Sequence, residues 1–472
     1  MDTNWLRNWG RRAADWGADY LATVRDRPVR ARTAPGDIAR RIPSTPPELA
    51  EDMATIFADF ERIIPPGITH WQHPRFFAYF PANASPPSVV AEYLTAAIAA
   101  QGMLWQTSPA ATELETAVTQ WLRQMIGLSD GFHGVIQDTA STATFAAILT
   151  GREKALGFTG NAQGLAGQPP VRVYASDQVH SSIDKACWMA GIGQDNLVKV
   201  ETRGPHLAMD PAALEAAIEV DRAVGRRPAV VVAALGGTSV GASDDIAAVA
   251  EVARKHGLHL HVDAAWAGSA MICPELRHWM AGAEQADSLV FNPHKWLMTN
   301  FDCSVLFLRD PEALVRTLGI RPSYLATHGH DGILNYSEWS PQLGRRFRAL
   351  KLWFVIRAYG VEGLRSIIRR HIAMAERLAQ SIAAVPGLEI VTPPMLSLFT
   401  FRLVRPGLDS EALDALNQRL LNAINDDGRT YLTPTRHAGQ LVIRVQIGQT
   451  ETTEADVDIA FAAIKELAGA LA

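Results

Sequence analysis

The chain has 472 residues, of which 48% are hydrophobic and 20% charged, and its 44 basic and 49 acidic side chains give a formal net charge of −5. This composition is that of an ordinary soluble globular protein, and the length predicts two or three lobes. The small negative charge gives no electrostatic reason to expect nucleic acid or a membrane as a partner, and we predict neither.

The first lobe is predicted over residues 1–85 as two helices, at 1–29 and 46–64, with Pro- and Arg-rich connectors between them. Charged residues are interspersed with apolar ones at the N-terminus, which predicts an amphipathic helix and not a signal peptide. A small helical lobe of this kind buries little apolar surface alone. We therefore expect it to pack on a partner chain, as a dimerisation lobe.

The middle of the chain, residues 86–360, alternates helical and strand-like segments. Helices are predicted at 88–100, 110–126, 141–155, 211–219 and 246–256, and apolar strands at 171–174, 229–235, 259–262, 288–291 and 304–308. This alternation predicts a large α/β domain with a parallel sheet that is covered on both faces. Ligands of such sheets bind beyond the carboxyl ends of the strands.

The tail, residues 361–472, has a different pattern. It predicts a helix at 361–385, strands at 388–392 and 396–404, a helix at 409–424, strands at 431–434 and 440–447, and a last helix from 453. Runs of strands and helices in this order predict a small α+β domain.

Three cysteines, Cys187, Cys273 and Cys303, are far apart in the sequence and odd in number. This spacing argues against disulfides and a cysteine zinc site, so we expect a cytoplasmic protein. His328 and His330 lie outside any HExxH helix, which predicts a loop and no metal site. No stretch has the length and apolar content of a membrane span.

Two strand ends carry a lysine and an aspartate. The strand at 288–291 leads to Lys295, and the strand at 259–262 ends at Asp263. Either residue alone is more often an ordinary strand-end or surface residue. Pyridoxal phosphate (PLP) needs both types, an amine for a Schiff base and an acid that keeps the pyridine nitrogen protonated. The pair therefore predicts a PLP enzyme.

Two weaker signals agree with this interpretation. His180 follows the strand at 171–174, where it is either an ordinary loop residue or an imidazole stacked on the cofactor ring. The small and hydroxyl residues at 139–144 precede a helix, where they are either plain caps or an anion site for the cofactor phosphate.

Five motifs occur together along the chain, at residues 70–81, 108–115, 261–269, 292–296 and 343–352. With them, nearly the whole chain resembles the PLP-dependent group II decarboxylases, and within them the aromatic-L-amino-acid decarboxylases. The resemblance implies PLP fold type I (aspartate-aminotransferase-like), an α/β fold with a mostly parallel central sheet, an N-terminal helical lobe and a small C-terminal α+β domain. It also implies a homodimer with shared active sites.

The resemblance implies a role for individual residues. Lys295 would carry PLP, Asp263 would pair with its ring nitrogen, and His180 and Ala265 would lie on opposite ring faces. Thr238 would bond near the ring hydroxyl or the substrate carboxylate, and the residues around the phosphate would be Ala140, Ser141, Asn292 and His294. The loop residue Tyr324 would return a proton to the substrate Cα. The substrate side would be formed by Trp71, Tyr79, Phe80 and Pro81, with Gln101 and Met103 from the partner subunit.

The departures from the family pattern fall on the substrate side. Ala82, Gln101, Met103 and Trp266 stand where the animal enzymes carry Thr, Ile, Phe and Tyr. Gly344 matches a position that holds Gly in indole-specific and Ser in phenol-specific plant relatives, which favours indolic substrates, although animal enzymes with this Gly also take dopa.

The predicted function is decarboxylation of an L-aromatic amino acid, namely tryptophan, 5-hydroxytryptophan, tyrosine, dopa or phenylalanine, to an arylalkylamine and CO₂. One alternative is a decarboxylase of an acidic or imidazole amino acid, which the aromatic wall and the lack of a clear basic clamp disfavour. Another is an oxygen-consuming aldehyde synthase, in which plant relatives replace the loop tyrosine by Phe, so Tyr324 disfavours it. A non-catalytic PLP-fold protein would be expected to lack Lys295 or Asp263.

Overall fold

The computed structural model describes residues 2–320 and 333–471. The chain forms two compact units: a larger one of Ala82–Ala373 and Thr392–Phe399, and a smaller one of Met1–Pro81, Met374–Val391 and Thr400–Ala472. Residues of the predicted first lobe and of the predicted tail thus belong to the same unit.

The helices are, in chain order, α1 Thr3–Thr23, α2 Met53–Ile63, α3 Pro86–Ile98, α4 Pro109–Ile126, α5 Ala140–Ala155, α6 Gly160–Gln163, α7 Ser182–Met189, α8 Pro211–Ala223, α9 Ile246–His256, α10 Pro293–Trp296, α11 Pro311–Leu318, α12 Ala349–Ala383, α13 Ser410–Asp427 and α14 Glu454–Ala470. The strands are β1 His133–Gln137, β2 Val171–Ser176, β3 Leu197–Val200, β4 Thr202–Arg203, β5 Ala208–Met209, β6 Arg227–Ala234, β7 His259–Asp263, β8 Ser288–Phe291, β9 Ser304–Leu308, β10 Leu388–Met395, β11 Leu398–Leu403, β12 Thr433–His437 and β13 Gln440–Gln446. Across the described ranges, none of these helices combines the length and the apolar content that a bilayer crossing requires.

The larger unit is built on a seven-stranded sheet with the order β1-β9-β8-β7-β6-β2-β3. The pairs β2–β3, β2–β6, β6–β7 and β7–β8 are parallel, as the sequence pattern predicts. Strand β9 is antiparallel to both β8 and β1, and the sheet is therefore mostly parallel, as predicted, with an antiparallel edge. The physical reason is that α10 is a single turn, too short to carry the chain back along the sheet for a parallel crossover.

Helix α5 packs closely against the centre of this sheet. A Cβ added at Gly151 would lie 2.5 Å from Cγ2 of Val230 on β6 and 2.9 Å from Cβ of His259 on β7. Only a glycine lets the helix come this near to the strands. The close contact fixes the position of the N-terminus of α5, at Ala140, relative to the ends of those strands.

Several predicted helix limits shift for local reasons. Helix α2 begins at Met53 and not at 46, because Asp52 accepts the N–H of Thr55 at 2.9 Å and so caps the helix. Gly360, with a φ of +65°, divides α12 into two helical segments, and the second of them corresponds to the helix predicted at 361–385 and ends at Ala383. Strands β1 and β3 were not predicted, because their short sequences carry no clear period.

The smaller unit contains a four-stranded sheet in the order β10-β11-β13-β12, and helix α13 packs against β13 and α14. Leu416, Leu420 and Ile424 of α13 are buried, as their spacing on one helix face predicts. Helix α14 starts with a capping box between Thr453 and Asp456. The turn at the tip of β10 and β11, Thr392–Phe399, belongs to the larger unit.

Candidate active site

A chain of backbone hydrogen bonds brings Asp263 and Lys295 to the same edge of the sheet. Beyond the β7–β8 pairing, the N–H of Ala264 donates to the carbonyl of Val290 at 3.0 Å and that of Asn292 to Ala265 at 2.8 Å. The N–H of Lys295 then donates to the carbonyl of Asn292 at 2.9 Å. The lysine and the aspartate therefore follow the carboxyl ends of two adjacent parallel strands, where ligand sites of such sheets form.

A cavity of about 170 Å³ opens at this edge. It is lined by Thr139, Ala140, Ser141, His180, Ser182, Ala234, Gly236, Gly237, Thr238, Asp263, Ala265, Asn292 and Lys295. Eight of the nine residues predicted to contact the cofactor are in this set, and His294 is the exception. The structure thus brings together residues from five separate parts of the sequence, while their individual roles remain predictions.

Asp263 is the acid of the cavity. Burial raises the pKa of its carboxyl group, and the nearby Lys295 ammonium and the N–H of Ala265, at 3.0 Å from Oδ1, act in the opposite direction. A buried carboxylate is most stable beside a cation. The protonated pyridine nitrogen of PLP is a cation of the kind that this carboxylate would stabilise.

His180 presents a neutral imidazole. Its Nδ1 accepts the N–H of Ser182 at 3.1 Å and lies 2.9 Å from the Ser182 hydroxyl, so the ring proton is assigned to Nε2. Burial lowers the pKa of the imidazole, the charge of Lys295 lowers it further, and Asp263 acts against both. A flat, uncharged ring is suited to stacking on the aromatic ring of PLP.

The N-terminus of α5 supplies donors at one end of the cavity. Thr139 caps this 16-residue helix, and Ala140 and Ser141 are its first two residues, with backbone N–H groups that have no partner within the helix. Nearby, the amide oxygen of Asn292 accepts the Ser304 hydroxyl at 2.6 Å, which assigns its amide nitrogen as a donor. Such a set of donors fits a phosphate group.

His294 braces the chain beside Lys295. The ring Nδ1 of His294 accepts the backbone N–H of Cys303 at 2.9 Å, and the backbone N–H of His294 donates to the carbonyl of Cys303 at 3.2 Å. Burial lowers the pKa of the imidazole to about 3, so the ring is neutral and cannot act as a cation towards a phosphate. The side chain of Asn83 donates to the carbonyl of Lys295 at 2.6 Å and fixes the same segment from another side.

The turn that carries Thr238 is held by residues whose role the sequence did not predict. Gly236 has a φ of +76°, and a Cβ there would lie 2.9 Å from the ring of Trp266, so only glycine fits. The indole N–H of Trp266 donates to the carbonyl of Gly236 at 2.5 Å. Trp266 is buried, so this residue, which departs from the family pattern, packs against the turn that carries Thr238.

Asp244 follows the same turn and binds the end of β6. Its carboxylate accepts the N–H of Ala234 and the N–H of Met209, each at 2.7 Å. Burial raises the pKa of this carboxyl group to about 6. The paired glycines at 236 and 237 are the sequence signal that marks this part of the cavity wall.

The predicted substrate residues of the larger unit form a group of their own. The Gln101 side-chain oxygen accepts the N–H of Arg345 at 2.8 Å, and a Cβ added at Gly344 would lie 3.5 Å from the Gln101 amide nitrogen. The carbonyl of Met103 accepts the N–H of Ser337 at 3.0 Å. In the described part of the chain, Gln101, Met103 and Gly344 are not among the cavity-lining residues.

The predicted aromatic wall lies in the smaller unit. The ring of Trp71 stacks on the rings of Phe76 and Tyr79, with centroids 4.6 Å and 5.6 Å apart. Phe80, which precedes Pro81, is 8% exposed, whereas Tyr79 is 48% exposed. Tyr324, the predicted proton donor, lies outside the described residues.

The lowered pKa values of the buried histidines in the larger unit predict that the stability of the folded chain depends on pH. Burial lowers the pKa of His259 to about 4 and that of His261 and His294 to about 3. Below the ordinary pKa of about 6.5, the unfolded chain binds protons that the folded chain does not. The contribution of these histidines to the free energy of unfolding is therefore complete above about pH 6.5 and is lost as the pH falls towards 4.

The measurement is the free energy of unfolding of the holoenzyme at pH 7.5 and 5.5, compared with that of His261→Gln. Asp244 and Asp263 act in the opposite direction because burial raises their pKa, so the difference between wild type and variant isolates the histidine. The variant should lose less stability on acidification than wild type. Exposed His278→Gln is the control, and equal pH slopes for wild type and His261→Gln would contradict this prediction.

Comparison with known proteins places the chain among enzymes. The family model described as the pyridoxal-dependent decarboxylase conserved domain matches residues 35–404. Tryptophan decarboxylase 2 of Oryza sativa subsp. japonica is 39% identical over 99% of this chain and 95% of its own length. Phenylacetaldehyde synthase of Arabidopsis thaliana is also 39% identical, over 100% of this chain and 97% of its own length.

A solved structure shows the same architecture. The Oryza sativa TDC with PLP and tryptamine superposes with a TM-score of 0.96 at 35% identity, covering 100% of this chain and 99% of that chain. This likeness confirms the predicted α/β fold, PLP fold type I.

Proposed function

The chain belongs to the pyridoxal-dependent decarboxylase family, and on this premise we propose that it decarboxylates L-aromatic amino acids to arylalkylamines and CO₂. The observation that carries the proposal is the cavity in which Lys295 and Asp263 lie beside His180 and the N-terminus of α5. An amine, a buried carboxylate and the backbone donors of a helix N-terminus would suit the aldehyde, the ring nitrogen and the phosphate of PLP, which is the cofactor of this family.

We assign each residue of the cavity a separate role from its position. Bound PLP supplies a ring that accepts the electrons of the bond broken at Cα. Lys295 would hold the cofactor through its amine, and Asp263 would stabilise the positive charge on the ring nitrogen. His180 holds the ring from one face, and its Nε2–H is available to the substrate carboxylate.

The last chemical step is the return of a proton to Cα. We assign it to Tyr324, because a phenol hydroxyl can donate a proton and the family resemblance implies this role for the residue. His180 is the alternative donor, since its ring lines the cavity.

The aromatic substrate class is supported by two kinds of observation. The smaller unit presents the stacked rings of Trp71, Phe76 and Tyr79, which suit a flat apolar ring better than a second carboxylate. Rice tryptophan decarboxylase 2 is similar to nearly the whole chain. Tryptophan, 5-hydroxytryptophan, tyrosine, dopa and phenylalanine are the candidate substrates.

We also propose that the active form is a homodimer located in the cytoplasm. Helix α3 leaves Val89, Val90, Tyr93 and Ile98 between 47% and 60% exposed, an apolar surface that a second copy would cover. A partner would also supply Gln101 and Met103 to the opposite site. The three cysteines are unpaired and buried, which suits a reducing compartment. Sedimentation showing a fully active monomer would contradict the dimer, and fractionation of cells tests the location.

The test of the proposed function is product analysis with purified, PLP-loaded enzyme. A panel of L-amino acids with aromatic, acidic and imidazole side chains is supplied, and CO₂, amine, aldehyde and hydrogen peroxide are measured. We expect one amine per CO₂ from aromatic substrates alone. Turnover confined to an acidic or imidazole amino acid would contradict the proposal.

A second candidate function is oxidative, because the Arabidopsis phenylacetaldehyde synthase is as similar to this chain as the rice decarboxylase. An enzyme of that kind converts the amino acid, O₂ and water into aldehyde, CO₂, ammonia and hydrogen peroxide. Tyr324 argues for the amine, since the resemblance associates Phe at this position with the oxidative reaction. The same product analysis separates the two functions.

Ring preference is expected to depend on Gly344. A side chain there would begin 3.5 Å from the Gln101 amide nitrogen, which is an ordinary contact. We therefore expect the fold to tolerate Gly344→Ser, with the serine side chain occupying the space beside Gln101. The variant should lower kcat/KM for tryptophan by roughly tenfold relative to tyrosine. Gly363→Ala, which is not predicted to contact the substrate, is the control. An unchanged ratio of the two specificity constants in Gly344→Ser would remove the argument for indolic substrates.

A further inference from the structure

A buried histidine outside the cavity binds the residue that follows Lys295. His371 lies on α12 and is 0% exposed, as is Trp296, the last residue of α10. The indole N–H of Trp296 donates to Nδ1 of His371 at 2.9 Å, and the two rings are nearly parallel, with an angle of 2° between their planes. In the described part of the chain, His371 is not among the cavity-lining residues, so any effect on the site passes through its neighbours.

The hydrogen bond fixes the arrangement of both rings. An indole N–H can only donate, and burying it without an acceptor destabilises the folded state. Because Nδ1 of His371 is the acceptor, the proton of the imidazole is assigned to Nε2. Helix α12 is itself anchored, since Leu364 and Ile368 are 0% exposed. The Trp296 ring is therefore tied to a fixed helix.

The same tryptophan contacts a second wall of the cavity. The rings of Trp296 and Trp266 pack with centroids 5.6 Å apart, and the indole of Trp266 donates to the carbonyl of Gly236. Gly236 and Lys295 both line the cavity. His371 is thus one end of a continuous series of contacts that reaches two parts of the cavity wall, and all of these residues belong to the larger unit.

Helix α10 depends on contacts of this kind for its orientation. It has four residues, and the N–H of Leu297 closes it on the carbonyl of Pro293 at 3.2 Å. A single helical turn is not stable on its own, so the surrounding residues set its position. Lys295 directly precedes Trp296, and a displacement of the Trp296 ring would move the backbone that carries the Lys295 amine.

We propose that His371 is a positioning residue, which acts through Trp296 and fixes the place of the Lys295 amine in the cavity. The Lys295 charge lies near enough to Asp263 and His180 to lower the pKa of both groups, so a small displacement of the amine changes the electrostatics of the site. His371 itself touches no reacting atom. This inference rests on the proposed function, because it takes Lys295 to be the residue that holds the cofactor.

The test compares His371→Leu with wild type as PLP-loaded enzymes. Leucine fills the space and removes the acceptor, so kcat for an aromatic substrate should fall roughly tenfold while KM changes little. Visible absorbance between pH 5 and 9 follows the titration of the nitrogen that joins Lys295 to the cofactor, and its midpoint should shift by about half a unit or more. A purely structural role would lower the free energy of unfolding and leave the midpoint of the folded enzyme unchanged.

Three further variants isolate the hydrogen bond. In His371→Asn the amide oxygen can take the place of Nδ1, so the wild-type midpoint should be retained. Trp296→Phe removes the donor and should reproduce the effect of His371→Leu, and the double variant should be no more impaired than either single one. Tyr174→Phe is the matched control, because it loses a buried hydrogen bond to Asp221, 2.7 Å long, without altering a cavity-lining residue.

A folded His371→Leu enzyme with unchanged kcat and midpoint would overturn the proposal, and so would effects of His371→Leu and Trp296→Phe that multiply in the double variant. If His371→Leu does not fold, a wild-type midpoint in Trp296→Phe has the same consequence. Failure of wild type to release amine would refute the proposed function. The midpoint is measured without substrate and would still decide this inference.

Discussion

Replacing Lys295 by alanine should lower kcat for every aromatic substrate by roughly a thousandfold or more. The amine lies at the cavity that Asp263 and His180 line, and no other lysine lines that cavity in the described residues. Without it, no amine of the cavity could hold the cofactor covalently, and only contacts to its phosphate and ring would remain. Steady-state rates and the absorbance of bound cofactor are the measurements.

Lys185→Ala is the matched control, because this exposed lysine lies on α7, near His180 in the sequence but outside the cavity lining. It should retain near-normal activity. The assignment would fail if Lys295→Ala remained folded and kept more than a few per cent of the wild-type rate.

The substitution Tyr324→Phe should change the product from amine to aldehyde. It keeps the aromatic ring and removes only the hydroxyl that is proposed to return a proton to Cα. Loss of CO₂ would continue, because Lys295 and Asp263 are unchanged. The delayed protonation would expose Cα to dissolved oxygen, and the reaction would then consume O₂ and release aldehyde, ammonia and hydrogen peroxide.

The measurement is the amine-to-aldehyde ratio under air, together with the peroxide formed per CO₂. Under nitrogen, the variant should make amine slowly, because protonation by water no longer competes with oxygen. Amine as the sole product in air at a near-normal rate would show that Tyr324 is not the donor. His180 or a water molecule would then be the leading candidate.

The parts of the fold that were predictable from the sequence are those with strong local signals. Strands β8 and β9 have the predicted limits, because each is a short apolar run bounded by polar or helix-breaking residues. Lys295 and Asp263 were placed together because parallel strands have their carboxyl ends at one edge. The local pattern was thus sufficient to locate the cavity.

The rest depends on contacts between residues far apart in the sequence. The antiparallel direction of β9 follows from the shortness of α10, and the buried position of Trp266 follows from its bond to Gly236. The contact between Phe80 and Gly448 joins distant segments of the smaller unit, and neither residue has a local pattern that reveals it.

The most direct test of the central claim is to reduce the PLP-loaded enzyme with borohydride and map the modified peptide by mass spectrometry. The account predicts one pyridoxyl group per chain, attached to Lys295 in the peptide that contains Asn292 and His294. Lys351 is the instructive alternative, since burial lowers the pKa of its amine to about 8 and would make it nucleophilic if cofactor reached it. A label on Lys351 or any other lysine, or no label on a fully loaded enzyme, would contradict the assignment of the active site.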